Sequence, residues 1–140
     1  MALFFMDLID IYNQNNLFGI ENNLELKIIS EGKIEYTMQL EKKHLALQDL
    51  VHGGAIAGFM DAVLSVAAFS AVSNKNKNVA TIEFKINYLR PVRKLQILKG
   101  KGAVIKVGSK LLFVEGEIFN NENELVATGT GTIMQFERKN

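Results

Sequence analysis

The 140-residue chain contains no cysteine, a single proline and almost no charge bias. Without cysteine, disulfides, thiolate nucleophiles and zinc sites of the cysteine type are excluded by inventory. Only two histidines occur, His44 and His52, eight residues apart, and they offer no metal site, so no metal is expected. Sixteen basic residues against fifteen acidic ones imply no nucleic-acid partner. No G-x-S-x-G elbow is present and neither histidine has an evident serine partner, which argues against Ser-His-Asp catalysis. The start, Met1 to Tyr12, is apolar but carries Asp7 and Asp10 and lacks a basic n-region. It therefore reads as part of the fold rather than as a signal peptide, and a reducing cytoplasm fits the composition.

What the chain does have is one long apolar run, Ala55 to Val72, interrupted by a single carboxylate, Asp61, and preceded by His52-Gly53-Gly54. A membrane span needs about twenty apolar residues, so length alone makes this run a marginal candidate. Asp61 near its middle and the strand-rich remainder favour a soluble protein with no membrane partner. An ionised, unpaired carboxylate in so apolar a segment costs roughly several kcal/mol. Its presence points to chemistry.

The length is that of one domain, residues 1–140. Apolar residues at helical spacing predict an opening helix over Leu3 to Asn13, ended by the Asn13-Gln14-Asn15-Asn16 run. The period then falls to two in Leu24, Leu26 and Ile28, and again in Ile34, Tyr36, Met38 and Leu40, with Glu31-Gly32-Lys33 as the turn of a hairpin. An irregular segment, Leu45 to Val51, leads to a helix over about Gly53 to Val72, closed by the polar stretch from Asn74 to Asn78. Four strand-like runs follow: Val79 to Leu89, Leu95 to Val107, Lys110 to Asn120 and Glu124 to Phe136. Arg90-Pro91 stops the first, and Gly108-Ser109 and Asn121-Glu122-Asn123 turn between the others. The order implies an α+β fold, a curved antiparallel β-sheet wrapped around one long central helix.

On a helical wheel that helix has two faces. Ile56, Phe59, Met60, Val63 and Val66 form a bulky face for the sheet, while Gly54, Gly58, Asp61, Ser65 and Ala68 form a small or polar one. Small residues admit a close neighbour, and a matching helix from a second subunit is the simplest occupant. Gly53 and Gly54 expose backbone N–H groups at the helix start, where the macrodipole favours developing negative charge, which makes an oxyanion-hole candidate. Gly53 and Asp61 are eight residues apart, about 12 Å along the axis at 1.5 Å per residue. They cannot serve one carbonyl together. If both are catalytic, one subunit supplies the donor and its partner the carboxylate, so the protein is expected to be a homodimer with shared sites, with pairing into tetramers left open.

These residues resemble the hotdog-fold acyl-CoA thioesterases, specifically the phenylacetyl-CoA (PaaI-type) group. His52-Gly53-Gly54 with Asp61 nine positions after the histidine is similar to that group's helix signature, and the strand from Ala80 to Pro91 looks like the one that follows it. The resemblance covers about Gln48 to Phe136. It implies that Asp61 is the general base or nucleophile acting on the thioester, that the Gly53 N–H polarises the thioester carbonyl, and that Thr81 helps hold the water or the carboxylate. The family usually carries an asparagine six positions before the histidine; here Ala46 stands there, and Gln48 is the candidate for a replacement amide. His52 is expected to anchor the loop rather than move protons.

Coenzyme A brings phosphates, for which Arg90, Arg93 and Lys94 are the candidate contacts. The expected function is hydrolysis of a small or medium acyl-CoA without a bound cofactor, coenzyme A being part of the substrate. Two alternatives stand beside it: a non-catalytic acyl-CoA binding module, motivated by Ala46, and a hotdog dehydratase or hydratase using His52 with Asp61.

Overall fold

The computed structural model describes residues 10–139. Strands β1 (Leu24–Ser30), β2 (Lys33–Gln39), β5 (Lys77–Tyr88), β6 (Ile97–Val107), β7 (Leu111–Phe119) and β8 (Leu125–Glu137) form one six-stranded antiparallel sheet, ordered β1-β2-β6-β7-β8-β5. Strands β3 (Leu45–Leu47) and β4 (Leu50–Val51) make a separate small hairpin. The central helix, Gly53–Val72, lies against one face of the large sheet and touches β2, β5, β6, β7 and β8. A curved antiparallel sheet around one long helix is the expected architecture.

The alternation in the strands explains which face receives the helix. In β2, Ile34, Tyr36 and Met38 are buried while their neighbours look outward, and Leu112, Val114 and Ile118 do the same in β7. From the helix, Ile56, Phe59, Met60, Val63 and Val66 are all at most 4% exposed. Glycines let the two layers meet. Gly102 pairs with Gly116, which pairs with Gly129, a row across three strands directly under the helix. A Cβ at Gly102 would come within 2.7 Å of the Val63 carbonyl oxygen, and one at Gly129 within 2.8 Å of Met60 Sδ. Any side chain there would lift the helix off the sheet. At the hairpin turn, Gly32 adopts a φ of 76° and its N–H donates to Ser70 Oγ at 2.9 Å, tying the β1–β2 hairpin to the helix.

Three expectations need correction. The segment Leu45 to Val51 is not irregular but holds the β3–β4 hairpin, paired at Leu45 with Val51 and at Leu47 with Leu50. The opening helix, of which residues before 10 lie outside the described residues, does not stop at Asn13: residues 10–15 are helical, and Asn16 then caps a second short helix, Leu17–Glu21, by accepting the Gly19 N–H at 3.1 Å. Ala68, placed on the open face of the wheel, is fully buried and belongs to the hydrophobic core. The stretch Gly53–Lys75 is long and apolar enough to cross a membrane, yet its bulky face packs on the sheet.

Candidate active site

His52 is the N-cap of the central helix. Its backbone is extended, with φ −65° and ψ 133°, and its Nδ1 accepts the Gly54 N–H at 2.7 Å. This ring takes the place of the Ser or Asp that usually satisfies an orphan N–H at a helix start. It also accounts for Gly54, since a Cβ there would sit 2.9 Å from Nδ1. The Gly53 N–H donates to no group among the described residues, while its carbonyl accepts the Tyr88 hydroxyl at 2.7 Å. The helix therefore begins with one free, outward N–H at its positive end.

The loop before the helix is held by His44, which is 4% exposed. Its Nδ1 accepts the Glu41 N–H at 2.9 Å, so the proton resides on Nε2, which donates to Asn22 Oδ1 at 2.9 Å. The His44 carbonyl accepts the His52 N–H at 2.8 Å, linking the two histidines through the backbone. Burial lowers the His44 pKa from its ordinary value; the Lys43 charge adds to this and the Glu41 carboxylate opposes it.

Asp61 is half-buried, two helical turns beyond Gly53, and accepts the Thr81 hydroxyl on Oδ1 at 2.7 Å. A β-bulge makes that contact. Thr81 pairs with Ile133 and Glu83 with Thr132, leaving Ile82 as the extra residue, and the inward positions switch from Val79 and Thr81 to Phe84 and Ile86. Asp61 lines a hollow of about 280 Å³ with Tyr12, Asn16, Phe18, Gly58 and Ser65. Tyr12, Asn16 and Ser65 also belong to a larger adjoining hollow of about 640 Å³ that runs past Val66, Phe69 and Thr81 to Arg138. Burial raises the Tyr12 pKa, a hydrogen bond from Tyr36 lowers it, and the Asp61 charge raises it again, so the phenol beside Asp61 stays protonated. Tyr36, fully buried, is raised as well, first by burial and then by Tyr12.

Of the remaining candidates Arg90 lies near Gly53, and none lines the hollows at Asp61. Gln48 is exposed at the tip of the β3–β4 hairpin with a φ of 47° and lines neither hollow at Asp61. Arg93 pairs with Asp49 at 3.3 Å, and the Lys94 N–H donates to the Asp49 carbonyl at 3.1 Å. Arg90 pairs with Glu124 at 3.4 Å and lines a hollow of about 190 Å³ with Gly53, Ile56, Tyr88 and Val92. All three basic side chains are exposed. Among the described residues, no three His, Asp or Glu side chains gather as a metal site. Within one chain there are thus two candidate half-sites, a carboxylate with its hydroxyl donor and a free N–H near Arg90, separated by two helical turns.

Sequence reading missed Tyr12, Asn16, Tyr88 and Arg138. The two chain ends carry three of them, and no motif links those ends; Tyr88 lies in the recognised strand but carries no chemical signal of its own.

Comparison with known proteins places this geometry. Residues 48–127, more than half of the chain, match the Thioesterase superfamily. The medium/long-chain acyl-CoA thioesterase YigI of Escherichia coli K12 is 23% identical over 99 residues, 62% of this chain and 63% of its own length. Two solved structures share the fold: the E. coli PaaI protein from the phenylacetic acid degradation operon (TM-score 0.81, 19% identity, 93% of this chain and 91% of that one) and smu.793 from Streptococcus mutans UA159 bound to acetyl CoA (TM-score 0.74, 23% identity, 84% and 92%). The long helix wrapped by a six-stranded sheet is the hotdog fold, and the chain belongs to the thioesterase superfamily.

Proposed function

We propose that the protein hydrolyses the thioester of small or medium acyl-CoAs in the manner of the PaaI-type group, as a homodimer whose active sites each draw on both subunits. The observation that carries this reading is the 2.7 Å hydrogen bond from Thr81 to Asp61 beside an acyl-sized hollow. That bond fixes one carboxylate oxygen and leaves the other to act on water. In the proposed reaction, Asp61 takes a proton from water and the water oxygen attacks the thioester carbon. The carbonyl electron pair moves onto oxygen, where the free Gly53 N–H of the partner subunit stabilises it. Collapse breaks the C–S bond, and the thiolate recovers the proton from Asp61. Direct attack by the carboxylate, with later hydrolysis of the anhydride, uses the same groups.

Coenzyme A would enter at the helix start, where Arg90, Arg93 and Lys94 face solvent; Arg90 and Arg93 must exchange their carboxylate partners for phosphate. The names of the relatives support an acyl-CoA ligand: YigI is an acyl-CoA thioesterase, and the S. mutans protein binds acetyl CoA. A second reading, an acyl-CoA binding module, is favoured by Ala46 and by the outward position of Gln48. Thiol release from a panel of acyl-CoAs decides between them. The hydrolase reading expects turnover that Asp61→Asn abolishes with the fold intact; binding without turnover in the unaltered protein leaves the binding module.

A further inference from the structure

The hollow beyond Asp61 has a charged end. From Asp61 the helix presents Ser65 and then Phe69 on the same side, one turn apart each, so the hollow extends about 12 Å from the carboxylate at 1.5 Å per residue. Its walls mix apolar and aromatic groups with amides: Tyr12 and Phe69 have ring centroids 5.9 Å apart, Val66 and Val79 add apolar surface, and Asn16 and Asn78 also line it. Its volume of about 640 Å³ falls in the usual range for small-ligand pockets, roughly 300–1,000 Å³. At the far end stands Arg138, whose guanidinium carbon lies 5.8 Å from the Phe69 centroid.

Arg138 is half-buried, and one of its nitrogens donates to the Lys77 carbonyl at 3.0 Å. Its neighbour Lys77 is paired with Glu137, whereas no carboxylate pairs with Arg138 among the described residues. A guanidinium carries five N–H donors in a planar fork suited to a carboxylate, and here most of them are unused. If two helices meet antiparallel at a two-fold axis, the helix of the second copy begins opposite Asp61. The stretch along Ser65 and Phe69 then lies past the end of that helix.

Resting on the thioesterase reading above, we infer that this hollow takes the acyl chain and that Arg138 selects acyl groups ending in a carboxylate, the monothioesters of dicarboxylic acids. The methylenes lie against Tyr12, Val66 and Phe69, and the terminal carboxylate meets the guanidinium about 12 Å from the reacting carbonyl.

The test compares sebacyl-CoA with decanoyl-CoA, and dodecanedioyl-CoA with dodecanoyl-CoA, pairs equal in length that differ by the terminal carboxylate and are long enough to span the hollow. The expected result is a kcat/KM ratio above one for the charged member, falling roughly tenfold to a hundredfold in Arg138→Met, as loss of a charged hydrogen bond predicts. A ratio at or below one in the unaltered protein, or a ratio that Arg138→Met leaves unchanged, overturns the inference while hydrolysis itself stands. If no acyl-CoA is turned over, the thioesterase reading falls separately. The selectivity is then read by calorimetric binding of the same pairs to the unaltered protein and to Arg138→Met, with the same ratios deciding.

Discussion

At the scale of single residues, Gly53 allows the cleanest separation of chemistry from stability. It is the first helical residue after the His52 cap, the one position where proline suits a helix, because the missing N–H would make no helical bond and φ is already set. The preceding residue, His52, is in the extended conformation that proline requires before it. Gly53→Pro therefore deletes the proposed oxyanion donor and little else. A Cβ at Gly53 would meet the Tyr88 ring at an ordinary 3.5 Å, so Gly53→Ala keeps the N–H and serves as the control. Gly53→Pro is expected to lower kcat by about 10²–10³, the usual cost of one oxyanion donor, with a melting temperature close to that of Gly53→Ala. Equal turnover in the two variants would remove the Gly53 N–H from the mechanism.

At the scale of elements, the loop from Glu41 to His52 depends on one buried imidazole. His44 is neutral in the fold, accepting from Glu41 and donating to Asn22, and its folded pKa lies below the unfolded value of about 6.5. Between those two pKa values the unfolded chain binds more protons, so this contribution to stability is complete above about pH 6.5 and is lost as pH falls toward the folded pKa. Protonation would also put a hydrogen on Nδ1, setting that N–H against the Glu41 N–H while Nε2 keeps Asn22. Melting curves between pH 8 and pH 5 are expected to show a fall that is smaller in His44→Gln, whose amide does not titrate; parallel curves would assign the acid sensitivity elsewhere. The loop also shows where sequence reading ended. The large strands were legible because apolar and polar residues alternate in them, as in Ile34, Tyr36 and Met38. The β3–β4 hairpin was not, because two pairs of residues are too few to carry a period. Simple alternation through Thr81, Glu83 and Lys85 puts Thr81 outward, opposite Phe84. Only the bulge at Ile82 turns Thr81 toward Asp61, so this pair was reached through the family resemblance and not through the pattern. Arg138 and Tyr12 were invisible for a simpler reason: they meet only because the chain ends pack on Phe69.

At the scale of the whole molecule, the two half-sites on one rigid helix are about 12 Å apart along its axis, too far to act on one carbonyl. The open edge of the sheet suggests how they are brought together. β5 is twelve residues long, pairs only with β8 among the described residues, and leaves Ile82 55% and Tyr88 50% exposed, with Leu89 just past its end 53% exposed. A long open edge of this kind calls for a cover, and a second copy related by a two-fold axis would provide one. The proposed arrangement would run the helices antiparallel and set Gly53 of the partner subunit opposite Asp61. Complementation tests the arrangement directly. An Asp61→Asn homodimer lacks the carboxylate at both sites, and a Gly53→Pro homodimer lacks the N–H at both. A heterodimer of the two, isolated by a different affinity tag on each chain, has one site with both defects and one with none. It is expected to recover about half the activity of the unaltered dimer, since one of its two equivalent sites is intact. If each site belonged to a single chain, every site in the heterodimer would carry one defect, and activity would stay at the level of the two inactive homodimers.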